Sequence, residues 1–324
     1  MTSLSQISTR RIPGLQRALL GWYGANRRDL PWRKGCDPYR IWLSEIMLQQ
    51  TRVAAVLLHY YRFLKRFPTV HKLAAAREPS VLAQWSGLGY YRRARNLHAA
   101  AKVIVQRRGG QFPESAEDWR SLPGVGRYTA AAIASIAFNE PVAVVDGNVE
   151  RVLRRLLGGA PASAELWDAA EALLDRTRPG DFNQAIMELG ALICLPSEPR
   201  CSDCPIRSYC STRGHEQKSP PKFRQHKRQQ SYLLARRAQS VRLVQRSRDE
   251  RLMPGMWELP QVLNPAAPNQ QLFSVKHSIT VTDFTVNVVT GRSRRGNWVQ
   301  ISRLQRLPLT GLTRKILRKA AIIQ

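Results

Sequence analysis

Four of the five cysteines lie close together, Cys194, Cys201, Cys204 and Cys210, spaced C-x6-C-x2-C-x5-C directly after a stretch that reads as a helix. Four thiolates in a short loop-rich segment can enclose one tetrahedral metal ion or one [4Fe–4S] cube, and either would force the chain around them to converge on an inorganic group. Zinc sites more often show two tight C-x2-C pairs. Here only Cys201 and Cys204 are so paired, and the long arms on either side suit a larger cluster. The first residues, Met1 to Gln16, lack the apolar core of a secretory signal, so a reducing compartment is expected and disulfides are disfavoured. Cys36 stands alone and reads as an ordinary thiol.

The 324 residues suffice for two or three domains, taking about 150 per domain as a prior. No stretch approaches the ~20 apolar residues that span a bilayer, so no membrane role is expected. Lys and Arg number 51 against 23 Asp and Glu, a formal net charge of +28, which points to a polyanionic partner. The cations are spread along the chain and form no continuous basic amphipathic helix, so nucleic acid is favoured over an anionic membrane surface.

From Tyr39 to Phe67 apolar residues recur at helical spacing without Gly or Pro, predicting one or two helices. Further helical stretches are expected at Ala94–Gln106, Thr129–Phe138, Val149–Leu157, Ala164–Asp175 and Phe182–Ile193, each bounded by Gly, Pro or Asn. Residues 1–213 therefore read as an all-α domain. Residues 214–231 read as a basic, proline-containing linker. From 232 to 324, SYLLARRAQSVRLVQR, SITVTDFTVNVV and NWVQIS read as strands, and LTRKILRKAAII as a closing amphipathic helix. Residues 218–324 carry 21 Lys and Arg but four Asp and Glu, so this second module is also expected to touch DNA.

LPGVGRYTA (122–130) places Gly124 and Gly126 between a helix ending near Leu122 and one starting near Arg127. Such glycines allow close backbone approach, so the amides can face a phosphate at a helix N-terminus, although the same turn can be a plain helix connector. Asp146, in AVVDGNV, stands between an apolar run and a new helix, where a helix-capping carboxylate is the plain reading. Asn148 could orient that carboxylate. Glu45, in IWLSEIMLQQT, is a charge inside an otherwise apolar helix. If it is not a surface glutamate, neighbours such as Trp42, Ile46 and Leu48 should raise its pKa and make it a general acid.

The cysteine spacing, the hairpin-like turn and VDGNVERVLRR resemble the endonuclease III and MutY superfamily of DNA repair glycosylases. The resemblance implies a mainly α glycosylase core with a helix-hairpin-helix motif and a [4Fe–4S] loop at 194–210, followed by a small α+β Nudix-like domain. It also implies that Arg200 and Arg207 are held against DNA phosphates. The cluster is expected to staple the fold in preference to carrying charge through DNA. Asp146 occupies the position of the family's essential aspartate, which stabilises the sugar cation as a base departs. Lyase-competent relatives carry a lysine in the hairpin's second helix. Here that position is Tyr128, so the chain reads as monofunctional, with Tyr128 bonding near Asp146 or a phosphate.

The segment around Glu45 is similar to the MutY pattern, in which the glutamate protonates adenine at N7. Base flipping leaves a gap to fill, and Gln49, Gln50 and Thr51 are candidates, with helix capping as their alternative. In the glycine-hinged GLGYYRRAR (87–95), Leu88 and Tyr90 are candidates for contact with DNA, Tyr90 as a wedge beside an oxidised guanine, unless the aromatics are structural. By the same resemblance Trp32, Arg33, Leu48 and Gln184 line an adenine pocket, although Trp32 and Leu48 could be ordinary core. The C-terminal RLMPGMWELP is similar to Nudix modules, but the acidic Nudix helix is missing, so this module should read rather than hydrolyse. Relatives carry a Phe-Ser-His loop there. The nearest match is His277, Ser278, Ile279, Thr280, Val281, in which Ile279 can wedge, Thr280 can hydrogen-bond, and the final histidine is replaced.

The implied function is excision of adenine mispaired with 8-oxoguanine or guanine from double-stranded DNA, by a monomer in the cytoplasm of a bacterial cell, at the nucleoid. A glycosylase of the superfamily with another target base, or a non-catalytic DNA-binding protein, are the alternatives. LPWR, SEIMLQQT and the appended module argue against the first, and intact Glu45 and Asp146 against the second.

Overall fold

The computed structural model describes residues 9–214, 226–250, 252–262, 270–279 and 282–323. It divides into two compact units, each discontinuous in sequence: residues 1–49 with 103–220, and residues 50–102 with 221–324.

The first unit is helical. It contains α1 (Ile12–Asn26), α2 (Pro38–Leu48), α7 (Ala116–Arg120), α8 (Arg127–Phe138), α9 (Gly147–Leu157), α10 (Ser163–Leu173) and α11 (Pro179–Leu192). In α1, Leu15, Leu19 and Tyr23 fall on one face at four-residue spacing and are buried. Three glycines in the same helix obscure this pattern in the sequence, and the helix was not expected. Asp37 caps α2 through the amides of Tyr39 (2.9 Å) and Arg40 (3.2 Å). Tyr39 and every residue from Ile41 to Met47 are buried, so α2 meets solvent mainly at Arg40 in its first turn. Trp42 meets Trp119 and Phe112 with ring centroids 5.7 and 6.3 Å away. The alanine-rich α8 lets neighbouring backbones come close: a Cβ on Gly180 of α11 would lie 2.6 Å from the Ser135 carbonyl oxygen.

The second unit holds α3 (Val53–Arg66), α4 (Val70–Ala74), α5 (Glu78–Trp85) and the first part of α6 (Arg92–Arg108), together with the C-terminal module. The module's strands are β1 (His226–Leu233), β2 (Arg236–Arg237), β3 (Ser240–Gln245), β4 (Trp257–Glu258), β5 (Gln261–Val262), β6 (Gln271–Ile279), β7 (Thr282–Val289) and β8 (Asn297–Gln300), followed by α12 (Gly311–Lys319). One sheet runs β5-β1-β7-β6, with β1 and β7 parallel and the other pairs antiparallel. In the other, β3 pairs with β2, β4 and β8. Val241, Leu243, Val286, Val288, Ile316 and Leu317 form the core between sheets and helix.

Several expected boundaries move. The span from Tyr39 to Phe67 is two helices, broken at residues 49–52. The expected linker overlaps β1, which begins at His226, because parallel pairing with β7 supplies ladder partners to a strand end that is polar in sequence. SITVTDFTVNVV spans two strands, with Ile279 opposite Thr282, and most of β6 was not foreseen. Ile301 opens a 3-10 helix where NWVQIS was expected to continue as strand. Among the described residues no helix is long and apolar enough to cross a membrane.

Gly180→Ala is expected to destabilise the chain by about 1–3 kcal/mol, because the added methyl meets backbone that cannot move aside cheaply. Urea unfolding would show a lowered midpoint at unchanged slope.

Candidate active site

Glu45 lies on the buried helix α2 and is 7% exposed. Its Oε2 accepts a hydrogen bond from the Tyr128 hydroxyl at 2.8 Å, and the Met187 sulfur lies 3.2 Å from the same hydroxyl. Burial pushes the Glu45 carboxyl up to about 7, against the Tyr128 hydrogen bond, with the charge of Asp146 raising it and that of Arg33 lowering it. A carboxyl raised in this direction keeps its proton to higher pH than a solvated one, so Glu45 is available as an acid. Tyr128, expected to bond near Asp146 or a phosphate, gives its hydroxyl to Glu45, whose oxygen lies within reach from the second residue of α8, and the charge of Asp146 acts on it.

Asp146 caps α9. Its Oδ1 accepts from the amides of Asn148 (2.9 Å) and Val149 (2.7 Å), and its Oδ2 from the Asn148 side-chain amide (3.3 Å). Burial raises its pKa, and these donors together with Arg151 oppose the rise. The capping and orienting readings of Asp146 and Asn148 thus describe one arrangement. Arg151 holds it from behind, donating to Asn148 Oδ1, to the Gly190 carbonyl and to the Cys194 carbonyl, each at 2.8 Å.

A third carboxylate, Glu188 on α11, was missed in the sequence. It is 1% exposed and binds Arg28 and Arg33 together, with Arg33 Nη1 and Nη2 each 3.0 Å from its oxygens. Burial would raise this carboxyl, but the guanidiniums of Arg28 and Arg33 outweigh it and hold it near 2. The signal lay in MELG: a charge among apolar helical residues, like Glu45. Arg33 and Gln184 border one cavity of about 290 Å³, while Trp32 is buried and Leu48 is half-buried.

The four clustered cysteines border a single cavity with Arg155, Arg200 and Arg207 on its wall and Val152, Leu189 and Ile206 as apolar floor. Among the described residues, no three His, Cys, Asp or Glu side chains converge tightly enough to hold a single ion. Burial pushes the Cys204 thiol up to about 11, and the three other thiols act on it electrostatically. Arg155 donates to Cys194 Sγ at 3.3 Å. A Cβ on Gly214 would sit 3.2 Å from Cys201 Sγ, a tight approach, and φ there is +93°, which favours glycine.

A family model described as HhH-GPD superfamily base excision DNA repair protein matches residues 43–174, which contain Glu45, Tyr128 and Asp146. The adenine DNA glycosylase of Rattus norvegicus is 49% identical over 220 residues, covering 63% of this chain and 42% of the relative. That of Arabidopsis thaliana is 40% identical over 309 residues, covering 80% of this chain and 48% of the relative. The solved structure of a thermostable thymine-DNA glycosylase is 30% identical with a TM-score of 0.60, covering 64% of this chain and 98% of that one. The chain belongs to the HhH-GPD superfamily of base excision DNA repair proteins. It spans less than half the length of the two curated relatives named.

In the turn at residues 122–126, Gly124 has φ +77°, in the left-handed region that favours glycine, whereas Gly126 is extended and is the N-cap residue of α8. Gln49 donates to Thr129 Oγ1 at 3.2 Å, and Thr51 accepts from Arg93 at 3.1 Å. Gln50 is the exposed residue of the three, in the left-handed region at φ 54°. Leu88 is buried, while Tyr90 is 48% exposed at φ 47°. Tyr91 is buried. Arg200 is exposed and pairs with Asp203 at 2.7 Å. His277 and Ile279 lie on strand β6 rather than in a loop, and Thr280 and Val281 lie outside the described residues.

Tyr128→Phe removes a hydrogen bond that lowers the Glu45 pKa, so that carboxyl is expected to titrate at higher pH in the variant. Carbon-13 NMR of glutamate-labelled protein measures it, and an unmoved or lowered value would contradict the assignment.

Proposed function

We propose that the chain removes adenine from mispairs with 8-oxoguanine or guanine in double-stranded DNA by hydrolysing the N-glycosidic bond. The observation that carries this reading is the pairing of Glu45, raised to about 7 by burial, with Asp146, held on three N–H donors. Two carboxyls in contrasting environments can divide the acid and electrostatic roles. Glu45 protonates N7 of the flipped base, the C1′–N9 bond breaks with its electrons passing to the base, and Asp146 stabilises the sugar cation. Water adds at C1′ and its proton returns to Glu45. Thymine has no N7, so an acid at this place favours a purine target, in keeping with the adenine DNA glycosylases among the relatives.

With Tyr128 at the position where lyase-competent relatives carry lysine, no amine is supplied for a Schiff base, and the strand is left intact at an abasic site. Cys194, Cys201, Cys204 and Cys210 would hold a [4Fe–4S] cluster. A donor set of four sulfurs lining one cavity, with a guanidinium on one of them, fits that anionic group. The cluster would supply a structural cross-link for the loop. The C-terminal module, carrying His277, Ile279 and Thr280, is assigned the reading of the opposite base. The +28 charge supports binding to the duplex.

Single-turnover assays on a panel of base pairs test the reading. Adenine opposite 8-oxoguanine should be excised fastest; thymine excision, or none from any pair, would overturn it. Glu45→Gln and Asp146→Asn are each expected to retain DNA binding and lose at least about 100-fold in excision rate. The wild-type rate should fall as pH rises through about 7, because a carboxyl with a raised pKa loses its proton there.

Borohydride should trap no covalent complex. Protein prepared anaerobically should hold about four irons per chain, and one zinc with no iron would refute the cluster assignment.

A further inference from the structure

The second unit joins the Tyr90 loop to the C-terminal module by buried polar contacts that no role in reading the opposite base requires. Ser86 and Tyr91 stand at the two ends of residues 87–90, and they are 2% and 5% exposed. Both hydroxyls donate to one acceptor, the carbonyl of Leu309, Ser86 Oγ at 2.6 Å and Tyr91 at 3.3 Å. Arg314 of α12 donates its Nε to Ser86 Oγ at 3.1 Å and is itself 8% exposed.

Leu309 is fixed in turn. The Trp257 amide on β4 donates to Pro308 O at 2.8 Å, and the Thr310 amide donates to Trp257 O at 2.9 Å, so Leu309 is held against the strand with its carbonyl toward the loop.

Within the loop, Gly87 and Gly89 have φ of +112° and +71°, and Tyr90 takes the left-handed region at a steric cost. Trp85 Nε1 donates to Gly89 O at 3.1 Å, and the Arg93 guanidinium lies 5.4 Å from both the Trp85 and Tyr90 ring centres. A strained, half-exposed tyrosine keeps one geometry only when its surroundings impose it.

We infer that Ser86, Tyr91 and Arg314 are positioning residues through which the C-terminal module sets the Tyr90 loop, giving the module a second route to discrimination besides its β6–β7 hairpin. This rests on the proposed excision of adenine. The module therefore acts on selectivity even where its own side chains do not meet the base.

The test compares full-length chains carrying Ser86→Ala, Tyr91→Phe and both, each removing a hydroxyl without changing the fold's apolar packing. The readout is the single-turnover excision-rate ratio for adenine opposite 8-oxoguanine over adenine opposite guanine, at fixed salt and saturating enzyme. The double variant should lower that ratio about tenfold, the size expected from losing two buried hydrogen bonds. In a Tyr90→Ala background the same pair should change the ratio no further, since the route to the base is gone.

An unchanged ratio, or equal loss in both rates, overturns the inference, as does a full further fall in the Tyr90→Ala background. If a hydroxyl deletion unfolds the chain, Arg314→Met supplies the same comparison, with the same outcomes deciding it. A wild-type chain that excises no adenine would instead refute the function on which the inference rests.

Discussion

A carboxyl placed where water cannot reach it must either find a cation or keep its proton, and this rule governs the centre of the first unit. Glu188 and Glu45 are both buried, yet they are driven in opposite directions. Two guanidiniums fork onto Glu188 and hold it ionised. Burial raises Glu45 to about 7, and its one neutral hydroxyl partner does not offset that cost, to which the charge of Asp146 adds. Arg33 serves the first carboxylate directly and the second only through its charge at a distance. A guanidinium bonded to Glu45 would have abolished the acid.

Helix α9 joins Asp146 to the cysteine loop. Asp146 caps its first turn, where free amides and the helix dipole favour an ionised side chain. At the other end the amides of Ser211 and Thr212 donate to the Leu156 and Arg155 carbonyls, and Cys210 Sγ approaches Arg155 O at 3.3 Å. Those carbonyls belong to the last turn and lack partners within the helix. Arg151 closes the circuit midway, from Asn148 to Cys194. Whatever holds the cysteines in place therefore also holds the turn on which Asp146 sits.

The helical core was largely legible because its helices announce themselves by period and by punctuation. Asp37-Pro38 starts α2, Gly126 starts α8, and Asp146-Gly147 starts α9. α1 escaped notice because its glycines break the composition without breaking the buried stripe. Glu45 was legible for the reason that makes it chemically useful, a charge in an apolar run. Glu188 has the same signature, but its meaning depends on Arg28 and Arg33, 155 to 160 residues away, and no local pattern reports such a pairing. The burial of Leu88 and Tyr91 likewise depends on packing rather than on spacing.

The module's strands were the hardest to read, and the reason is topological. β1 finds its parallel partner β7 more than 50 residues later, and a polar strand end such as HKRQQ becomes strand only because that partner is present. Residues 50–102 belong to one unit with the C-terminal module and are tied to it by contacts equally distant in sequence, such as those of Ser86 and Tyr91 with Leu309. Leu309 and Arg314 fill polar needs of Ser86 and Tyr91 that would otherwise be buried without partners. Removing the whole module would expose those groups and the helices beneath them at once. A loss of selectivity after truncation would therefore mix a missing reader with a loosened Tyr90 loop, and single hydroxyl deletions are what separate the two.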